Sequence, residues 1–402
     1  DDPTIEALRE TAWRTLDLSC WQTFMDCPYY ERLQYIGDAR IEALCAYITT
    51  GETKLWRQAL AHFHESRQHA AELPGGEGLI LQRFPSQQGR LMPTFSLLWI
   101  EMLHDYWWHT GAFADIRGYL PAARRILEWF ARRRRADGML GALEGMVFID
   151  WTEAWPWDPD REGGAGGGEP EGARSGGSSV VTLLWSRTLQ KGAELFREAG
   201  EDAFAQDCMA LAEQANQATL EKCWDARHGL LADTGERRSF SQHANINAIL
   251  AGAVEGAEAK ALLEATLRHP DAITCSLYYR FYLHRALKAA GMGARLFELL
   301  EPWRKKLREG LTTFPETLMP DSRSDCHGWS AGLLYDLVDT VAGLKILKPG
   351  FAEYAFEPEL GPLKELSCGI PSPQGTIHLK AWREGGKVSF ESKRSAEKTN
   401  LW

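Results

Sequence analysis

The stretch from Asp26 to Asp38 reads Asp-Cys-Pro-Tyr-Tyr-Glu-Arg-Leu-Gln-Tyr-Ile-Gly-Asp, and it decides how the rest of the chain is interpreted. It holds three carboxylates, at Asp26, Glu31 and Asp38, among tyrosines, a proline and a glycine. Closely spaced carboxylates in an aromatic setting suit glycoside hydrolysis, because one acid must hold a proton near neutral pH while aromatic faces bind a sugar ring. The structural alternative is a helix capped by Asp26 with Glu31 on its first turns, and it accounts for only one of the acids.

A helical apolar period recurs along most of the chain. It covers the twelve stretches 4–18, 37–49, 53–70, 94–110, 115–135, 178–199, 201–222, 242–254, 257–267, 273–290, 293–308 and 328–343. Twelve helices joined by alternating short and long loops make six hairpins, which predicts an (α/α)6 six-hairpin toroid with a site in the funnel at one end. An open array of repeats is disfavoured, since no period of about 34 or 40 residues is visible.

The pattern changes from about residue 350. Segments at 354–358, 375–382 and 387–391 alternate polar and apolar residues and are separated by Gly and Pro, which is typical of short antiparallel strands. We therefore predict a mainly α fold with two domains. A six-hairpin catalytic domain covers residues 1–348, and a small C-terminal antiparallel β-domain, part of a sandwich, covers residues 349–402.

The longest irregular stretch lies at about 145–178 and includes Gly163-Gly164-Ala165-Gly166-Gly167-Gly168. A mobile surface loop is one interpretation. The root of this loop, however, holds Asp150, Trp151 and Trp155, which are poor residues for a solvated linker. A loop that is aromatic and acidic at its root and glycine-rich at its tip fits the rim of a binding funnel.

The composition of the chain argues against some classes of binding partner. The formal charge of −10 and the pI near 5.7 argue against nucleic acid, and no apolar run approaches the length of a membrane span. The eight cysteines are scattered, without a Cys-x-x-Cys pair or clustering with histidine, so we expect no disulfide framework, metal or cofactor. The chain begins at Asp1 without a signal-like segment, which suggests a trimmed or partial chain, and neither compartment nor oligomeric state can be read from it.

The spacing in residues 26–38 resembles the signature of bacterial α-L-rhamnosidases, glycoside hydrolase family 78, whose catalytic domain carries Asp-Cys-Pro, then Glu-Arg, an aromatic residue and Gly-Asp. Residues 310–316, Gly-Leu-Thr-Thr-Phe-Pro-Glu, resemble the family's Thr-Thr-aromatic-x-Glu segment, and residues 148–151 resemble its Phe-x-Asp-Trp segment. This sequence departs from the pattern at Tyr29-Tyr30 and at Tyr35, where tryptophan is common. The family also places a β-domain after the barrel.

The resemblance implies an inverting hydrolase that works with two glutamates. We assign Glu31 as the general acid and Glu316 as the general base. Closing a toroid brings the first and last hairpins together, so their separation of 285 positions in sequence is compatible with one site. Inversion requires the two carboxyl groups to lie about 6.5–9.5 Å apart, with a water between the base and the sugar.

Further residues are predicted to bind the sugar. Ionised aspartates accept hydrogen bonds from sugar hydroxyls, and aromatic rings pack against the apolar face of a sugar. His327 resembles a histidine that family members place near the sugar, and His243 stands at a predicted helix start. The predicted substrate-binding residues are Asp26, Tyr35, Asp38, Asp150, Trp151, Trp155, His243 and His327.

Two other classes of function stay open. A different six-hairpin hydrolase or a polysaccharide lyase would share the fold, but a lyase needs a Tyr or His base and a cation beside the uronate. The motif segments are acid-rich and poor in Arg and Lys, which argues against a lyase. A non-catalytic sugar-binding relative would be favoured by loss of Glu31 or Glu316, and both are present. A carbohydrate is the predicted partner in every case.

Overall fold

The structure, a computed structural model, describes residues 2–160, 166–319 and 322–396. Contacts divide the chain into two compact units. The terminal unit comprises Asp1–Ala59, Asp105–Phe113 and Gly291–Trp402, and the central unit comprises Leu60–His104 and Ala114–Ala290. Residues 161–165 of the predicted glycine-rich tip, and residues 397–402 of the predicted β-domain, lie outside the described residues.

Helices dominate both units. They are α1 (Pro3–Ser19), α2 (Ile36–Thr50), α3 (Lys54–Glu65), α4 (Arg67–Ala71), α5 (Pro93–Thr110), α6 (Phe113–Ile116), α7 (Leu120–Ala131), α8 (Ser179–Glu198), α9 (Asp202–Cys223), α10 (Gln242–Leu250), α11 (Gly256–Arg268), α12 (Leu277–Ala289), α13 (Leu296–Leu299), α14 (Glu301–Arg308) and α15 (Leu333–Asp336). None of these described helices is long and apolar enough to cross a membrane.

Several predicted helices are interrupted in the structure. The predicted helix 53–70 is divided into α3 and α4, and the predicted helix 293–308 is divided into α13 and α14. Pro302 lies in the first turn of α14, where its missing N–H leaves no helical hydrogen bond unmade, so the chain restarts a helix there. The predicted helix 328–343 becomes a 3-10 turn, the short α15 and a π turn. The apolar period located these helices but could not show where they break.

Helix α2 of the terminal unit is buried on nearly every side. Thirteen of its fifteen residues are buried, because it packs against α15, the segment Gly328–Gly332 and strand β5 (Glu365–Ser372). The helix ends at Gly51, whose φ of 75° is accessible to glycine without strain. A helix buried on nearly every side turns its polar residues inward, so Asp38 and Glu42 are carried into the interior.

The central unit is built on helical hairpins. Helices α8 and α9 pack closely against each other and are joined through Gly200. Serine side chains cap the N-termini of α10 and α12. The Ser241 hydroxyl accepts from the backbone N–H of Ala244 at 3.2 Å, and the Ser276 hydroxyl accepts from the backbone N–H of Tyr278 at 3.1 Å. These caps fix the starts of α10 and α12, which carry His243 and Tyr279.

The described residues contain three small antiparallel sheets. Strands β1 (Trp224–Asp225) and β2 (Leu230–Leu231) pair within the central unit, whereas the C-terminal region contains β3 (Leu344–Lys348), β4 (Glu353–Phe356), β5, β6 (Gly375–Glu384) and β7 (Lys387–Ser395). Strand β3 pairs with β4, and β5, β6 and β7 form a meander in which Cys368 lies opposite Leu379 and Leu379 opposite Ser392. The mainly α class with a small antiparallel β region is confirmed, whereas the division at residue 348 stays a prediction.

Candidate active site

The loop before α2 presents Glu31 to solvent. Asp26 closes this loop, because its backbone N–H donates to Leu33 O at 2.9 Å and its Oδ1 accepts from the Leu33 N–H at 2.8 Å. Asp26 therefore caps no helix, and the segment ahead of α2 is irregular. Burial raises the pKa of Asp26 to about 6; the nearby His327 opposes this rise and Asp38 adds to it. The loop is therefore buried where it begins, at Asp26, and exposed at its tip.

Tyr35 and Arg323 both donate hydrogen bonds to Glu31. The Tyr35 hydroxyl donates to Oε2 at 2.6 Å, and Nη2 of Arg323 donates to Oε1 at 2.5 Å. The Glu31 side chain is 28% exposed and that of Arg323 is 48% exposed. Hydrogen bonding to Glu31 is the largest cause of a raised pKa at Arg323. The Tyr35 hydroxyl is thus hydrogen-bonded to the carboxylate, and the predicted contact of Tyr35 with the sugar stays a prediction.

Glu316 enters the same cluster from the other end of the chain. Its backbone N–H donates to Ser324 O at 2.9 Å, and its carbonyl accepts from Nε1 of Trp329 at 3.0 Å, so the backbone of Glu316 is held in place by the segment 322–329. Burial is the largest cause of a raised pKa at Glu316, with His327 and Arg323 opposing the rise and Asp38 and Glu31 adding to it. Glu31 is therefore near enough for its charge to influence the pKa of Glu316, and a shared catalytic role for the two acids stays a prediction.

His327 and Asp38 form the buried part of the cluster. Nε2 of His327 lies 3.0 Å from Asp38 Oδ1, and each side chain is 3% exposed. Burial raises the pKa of Asp38 well above its usual range and lowers the pKa of His327. The ring of Trp329 lies 4.4 Å from the imidazole and covers it. Such a pair has a fixed orientation and a low local dielectric, which suits recognition of polar hydroxyls.

Glu42 is a site residue that the sequence analysis missed. It lies one helical turn after Asp38 on α2, is fully buried, and neither of its carboxylate oxygens has a hydrogen-bond partner among the described residues. Burial, with Asp38 and Asp26 adding to it, raises the pKa of Glu42 well above its usual range. A Cβ at Gly328 would lie 1.9 Å from Glu42 Oε1, so only glycine fits beside this acid.

The central unit contains a buried acid, Asp150, in a different environment. Its Oδ2 lies 2.8 Å from Nε2 of His243 and accepts from the Ser276 N–H at 2.9 Å, while its Oδ1 accepts from the Ser276 hydroxyl. Trp155 and Tyr279 lie against His243 with ring centroids at 4.6 and 4.5 Å. Both oxygens of Asp150 are thus occupied by the protein itself.

Trp151 packs at the root of the glycine-rich loop. It is half-buried between Phe148 and Trp157, with ring centroids 5.0 and 6.3 Å away. A Cβ at Gly167 would lie 2.9 Å from the Trp151 ring, which explains why a glycine occupies this position. Trp151 therefore has a packing role whatever else it does.

A family model for the bacterial alpha-L-rhamnosidase six-hairpin glycosidase domain matches residues 1–338. The chain belongs to this family. The match covers most of the sequence and confirms both the resemblance and the six-hairpin architecture inferred from twelve helical stretches. No curated protein matches the chain in sequence.

Solved structures of rhamnosidases have the same fold. The family 78 rhamnosidase of Bacillus sp. GL1 superposes with a TM-score of 0.84 at 24% identity, over 99% of this chain and 41% of its own. A Klebsiella oxytoca rhamnosidase with rhamnose bound gives 0.71 at 22% identity, over 84% of this chain and 64% of its own. A Streptomyces avermitilis α-L-rhamnosidase complexed with L-rhamnose gives 0.74 at 15% identity, over 98% and 37%. This rhamnosidase-family chain therefore spans less than two thirds of the length of these relatives.

The ten predicted site residues of this rhamnosidase-family chain fall into two groups. The terminal unit brings together Asp26, Glu31, Tyr35, Asp38, Glu316 and His327. The central unit brings together Asp150, Trp155 and His243, with Trp151 one residue after Asp150. Sequence reasoning missed Arg323 and Glu42. Arg323 lies in an irregular loop with no motif, whereas the spacing of four residues between Asp38 and Glu42, on a helix whose one other charged residue is Arg40, was a usable signal.

Among the described residues, Asp26, Cys27 and His327 each offer one donor atom, and these atoms lie within 4.8 Å of one another. An oxygen, a sulfur and a nitrogen donor together would suit a zinc-class cation. The expectation that the site uses no metal stays a prediction.

Proposed function

We propose that this chain is the catalytic domain of an inverting α-L-rhamnosidase, which removes terminal α-L-rhamnose from glycosides or polysaccharides. The observation that carries the proposal is the meeting of Glu31 and Glu316 in one cluster, where Arg323 and both acids influence one another. Family membership supports the reaction type. The rhamnose bound in the Klebsiella and Streptomyces relatives supports rhamnose as the sugar.

In the proposed reaction Glu31 is the general acid and Glu316 the general base. Glu31 donates its proton to the glycosidic oxygen as the bond from that oxygen to the anomeric carbon breaks. Glu316 takes a proton from the water that attacks the anomeric carbon on the opposite face. The products are the free alcohol of the leaving group and rhamnose with its anomeric configuration inverted. Each proton transfer of this kind contributes about 10²–10⁴-fold to the rate.

The buried residues of the terminal unit are proposed to orient the sugar. Asp38 and His327 are held against each other, and Trp329 covers the imidazole, so their polar atoms have one orientation. Asp26 contributes one carboxylate oxygen to its own loop at Leu33. We propose hydroxyl recognition by Asp26, Asp38 and His327, and positioning of Glu31 by Tyr35. Sugar contacts by Asp150, Trp151, Trp155 and His243 stay predictions.

A panel of aryl glycosides tests this function. The α-L-rhamnoside should be hydrolysed, and aryl α- and β-glucosides, galactosides and uronides should be hydrolysed at least about a hundredfold more slowly. NMR of the first-formed product should show β-L-rhamnose before mutarotation. Hydrolysis of another glycoside in preference to the rhamnoside would contradict the substrate, and α-L-rhamnose as the first product would contradict inversion.

A further inference from the structure

The exposed tip of the loop around Glu31 carries an unusual set of side chains. Tyr29 and Tyr30 are 78% and 54% exposed, and their rings meet edge to face with centroids 5.1 Å apart. The guanidinium of Arg323 lies 5.4 Å from the centroid of the Tyr30 ring. Large aromatic residues at this exposure contribute little to the core, and the adjacent guanidinium, which is paired with Glu31, makes the surface polar as well as aromatic.

The direction of burial shows which part of a substrate meets this surface. Asp38 and His327 lie in the interior, Glu31 is partly exposed, and Tyr29, Tyr30 and Arg323 are exposed. A general acid contacts the glycosidic oxygen, so the sugar that is cleaved lies on its buried side and the leaving group on its exposed side. The two tyrosines and Arg323 therefore stand where the leaving group must lie.

The same geometry conflicts with proton donation by Glu31. A general acid must carry a proton before the bond breaks, but a guanidinium at 2.5 Å favours the ionised carboxylate. A substrate that takes Arg323 away from Glu31 would remove this conflict. Arginine pairs with a carboxylate through two parallel N–H donors, so an anionic leaving group is the chemical class that competes best for it.

Resting on the function proposed above, we propose that the enzyme acts on rhamnose linked to an acidic sugar, whose carboxylate pairs with Arg323 and whose ring packs on Tyr30. Binding exchanges the Arg323–Glu31 ion pair for an ion pair between Arg323 and the substrate. Glu31, no longer paired with the cation, takes a proton from solvent and then donates it to the glycosidic oxygen. The water proton goes to Glu316, and the uronic acid leaves with its own carboxylate unchanged.

The test compares leaving groups that differ only in charge. The matched substrates are α-L-rhamnosyl-(1→4)-glucuronic acid and its uronamide, with the rhamnosyl glucoside as a second neutral substrate. We expect kcat/KM for the acid to exceed that for the amide by about tenfold to a hundredfold, the scale of one hydrogen-bonded charge pair. In Arg323→Gln this ratio should fall to near one, and Arg323→Lys should retain part of it. Arg32→Gln is the matched control, since Arg32 is the exposed arginine next to Glu31 and should leave the ratio unchanged.

The outcomes separate this inference from the proposed function. Equal hydrolysis of the acid and the amide by the unaltered enzyme would overturn the inference and leave rhamnosidase activity established. An acid preference that persists in Arg323→Gln would also overturn it, because another group would be reading the carboxylate. Preference for a neutral aryl rhamnoside, lost in Tyr30→Ala, would assign the surface to aromatic leaving groups instead. Failure to hydrolyse any rhamnoside would overturn both proposals.

Discussion

Two buried carboxylates of equal burial, Glu42 in the terminal unit and Asp150 in the central unit, differ in how the protein satisfies them. Asp150 accepts from the Ser276 backbone, the Ser276 hydroxyl and His243, so each of its oxygens is occupied. Glu42 has no hydrogen-bond partner among the described residues, and burial strongly raises its pKa. Burial alone therefore does not mark a functional acid.

The comparison extends to the neighbours of each acid. Around Glu42 the pKa values of Asp26, Asp38 and Glu316 are all raised, with burial as the largest cause. A group of protonatable acids that disfavour one another's charge is typical of catalytic sites. Around Asp150 the partners are donors, Ser276 and His243, which is typical of a carboxylate that positions a histidine. The first cluster is suited to proton transfer and the second to orientation.

The largest expected effect is on catalysis in the terminal unit. Replacing Glu316 by Gln removes the proposed base but keeps the shape of the side chain, so turnover should fall by about 10²–10⁴-fold. The melting temperature should change little, because the loop is held by backbone hydrogen bonds of Glu316 that glutamine retains. Asp325→Asn, an exposed acid of the same loop, is the control and should keep full activity. Unchanged turnover in Glu316→Gln would remove this residue from the mechanism.

In the central unit we expect replacement of Asp150 to lower the stability of the fold. Asp150→Ala leaves the Ser276 N–H and His243 without their acceptor in a buried site, and each such group costs about 1–3 kcal/mol. We expect the free energy of unfolding to fall by about 2–4 kcal/mol, measured by urea denaturation. Asp271→Ala, an exposed acid of the same unit, should change it by less than about 0.5 kcal/mol. A wild-type free energy of unfolding in Asp150→Ala would show that its contacts are not structural.

A smaller effect is expected at Glu42, and it should depend on pH. The pKa of Glu42 is raised in the folded state, so over the range between its unfolded and folded pKa values the folded protein binds the extra proton. The free energy that the protonated Glu42 side chain contributes to folding is therefore fully present at low pH, and it is lost as the pH rises towards the folded pKa of Glu42. Glu42→Gln removes this loss, and its free energy of unfolding should exceed that of the wild type at pH 8 and exceed it by less at pH 5.

The pH dependence shows whether Glu42 is the group responsible for the difference in the free energy of unfolding. Asp26 and Asp38 have raised pKa values that act in the same direction and remain in both proteins, so the difference reports Glu42 together with its interaction with these two acids. Glu10→Gln, an exposed acid on α1, should give a difference that does not vary with pH. An advantage of Glu42→Gln that is the same at pH 5 and pH 8 would show that Glu42 is not held protonated in the fold.

Much of the terminal cluster was predictable from the sequence because its residues lie in two compact segments. The carboxylates of residues 26–38 stand beside a long helical pattern, and Glu316 follows a recognisable motif. The six-hairpin class followed from the apolar period, although the period could not show breaks such as the one at Pro302.

The environment of each acid was not predictable in the same way. Ser276 donates a hydrogen bond to Asp150, although the two residues are 126 positions apart in sequence. Arg323 donates to Glu31 across 292 positions, from a loop without a recognisable motif. Nothing local in sequence encodes such partners, because they are set by how distant segments pack. Glu42 was missed for a different reason: a charged residue within a helix usually marks an exposed face, but α2 is buried on nearly all sides.

The most direct test of the central claim separates the proposed acid from the proposed base by the leaving group. An aryl rhamnoside with a strongly electron-withdrawing ring needs little protonation to depart, whereas an alkyl rhamnoside needs a full proton. Turnover of Glu31→Gln should therefore be severely reduced on the alkyl substrate and largely restored on the activated aryl substrate. Turnover of Glu316→Gln should be reduced on both. Equal losses on the two substrates for Glu31→Gln, or restoration in Glu316→Gln instead, would contradict the assignment of Glu31 as acid and Glu316 as base.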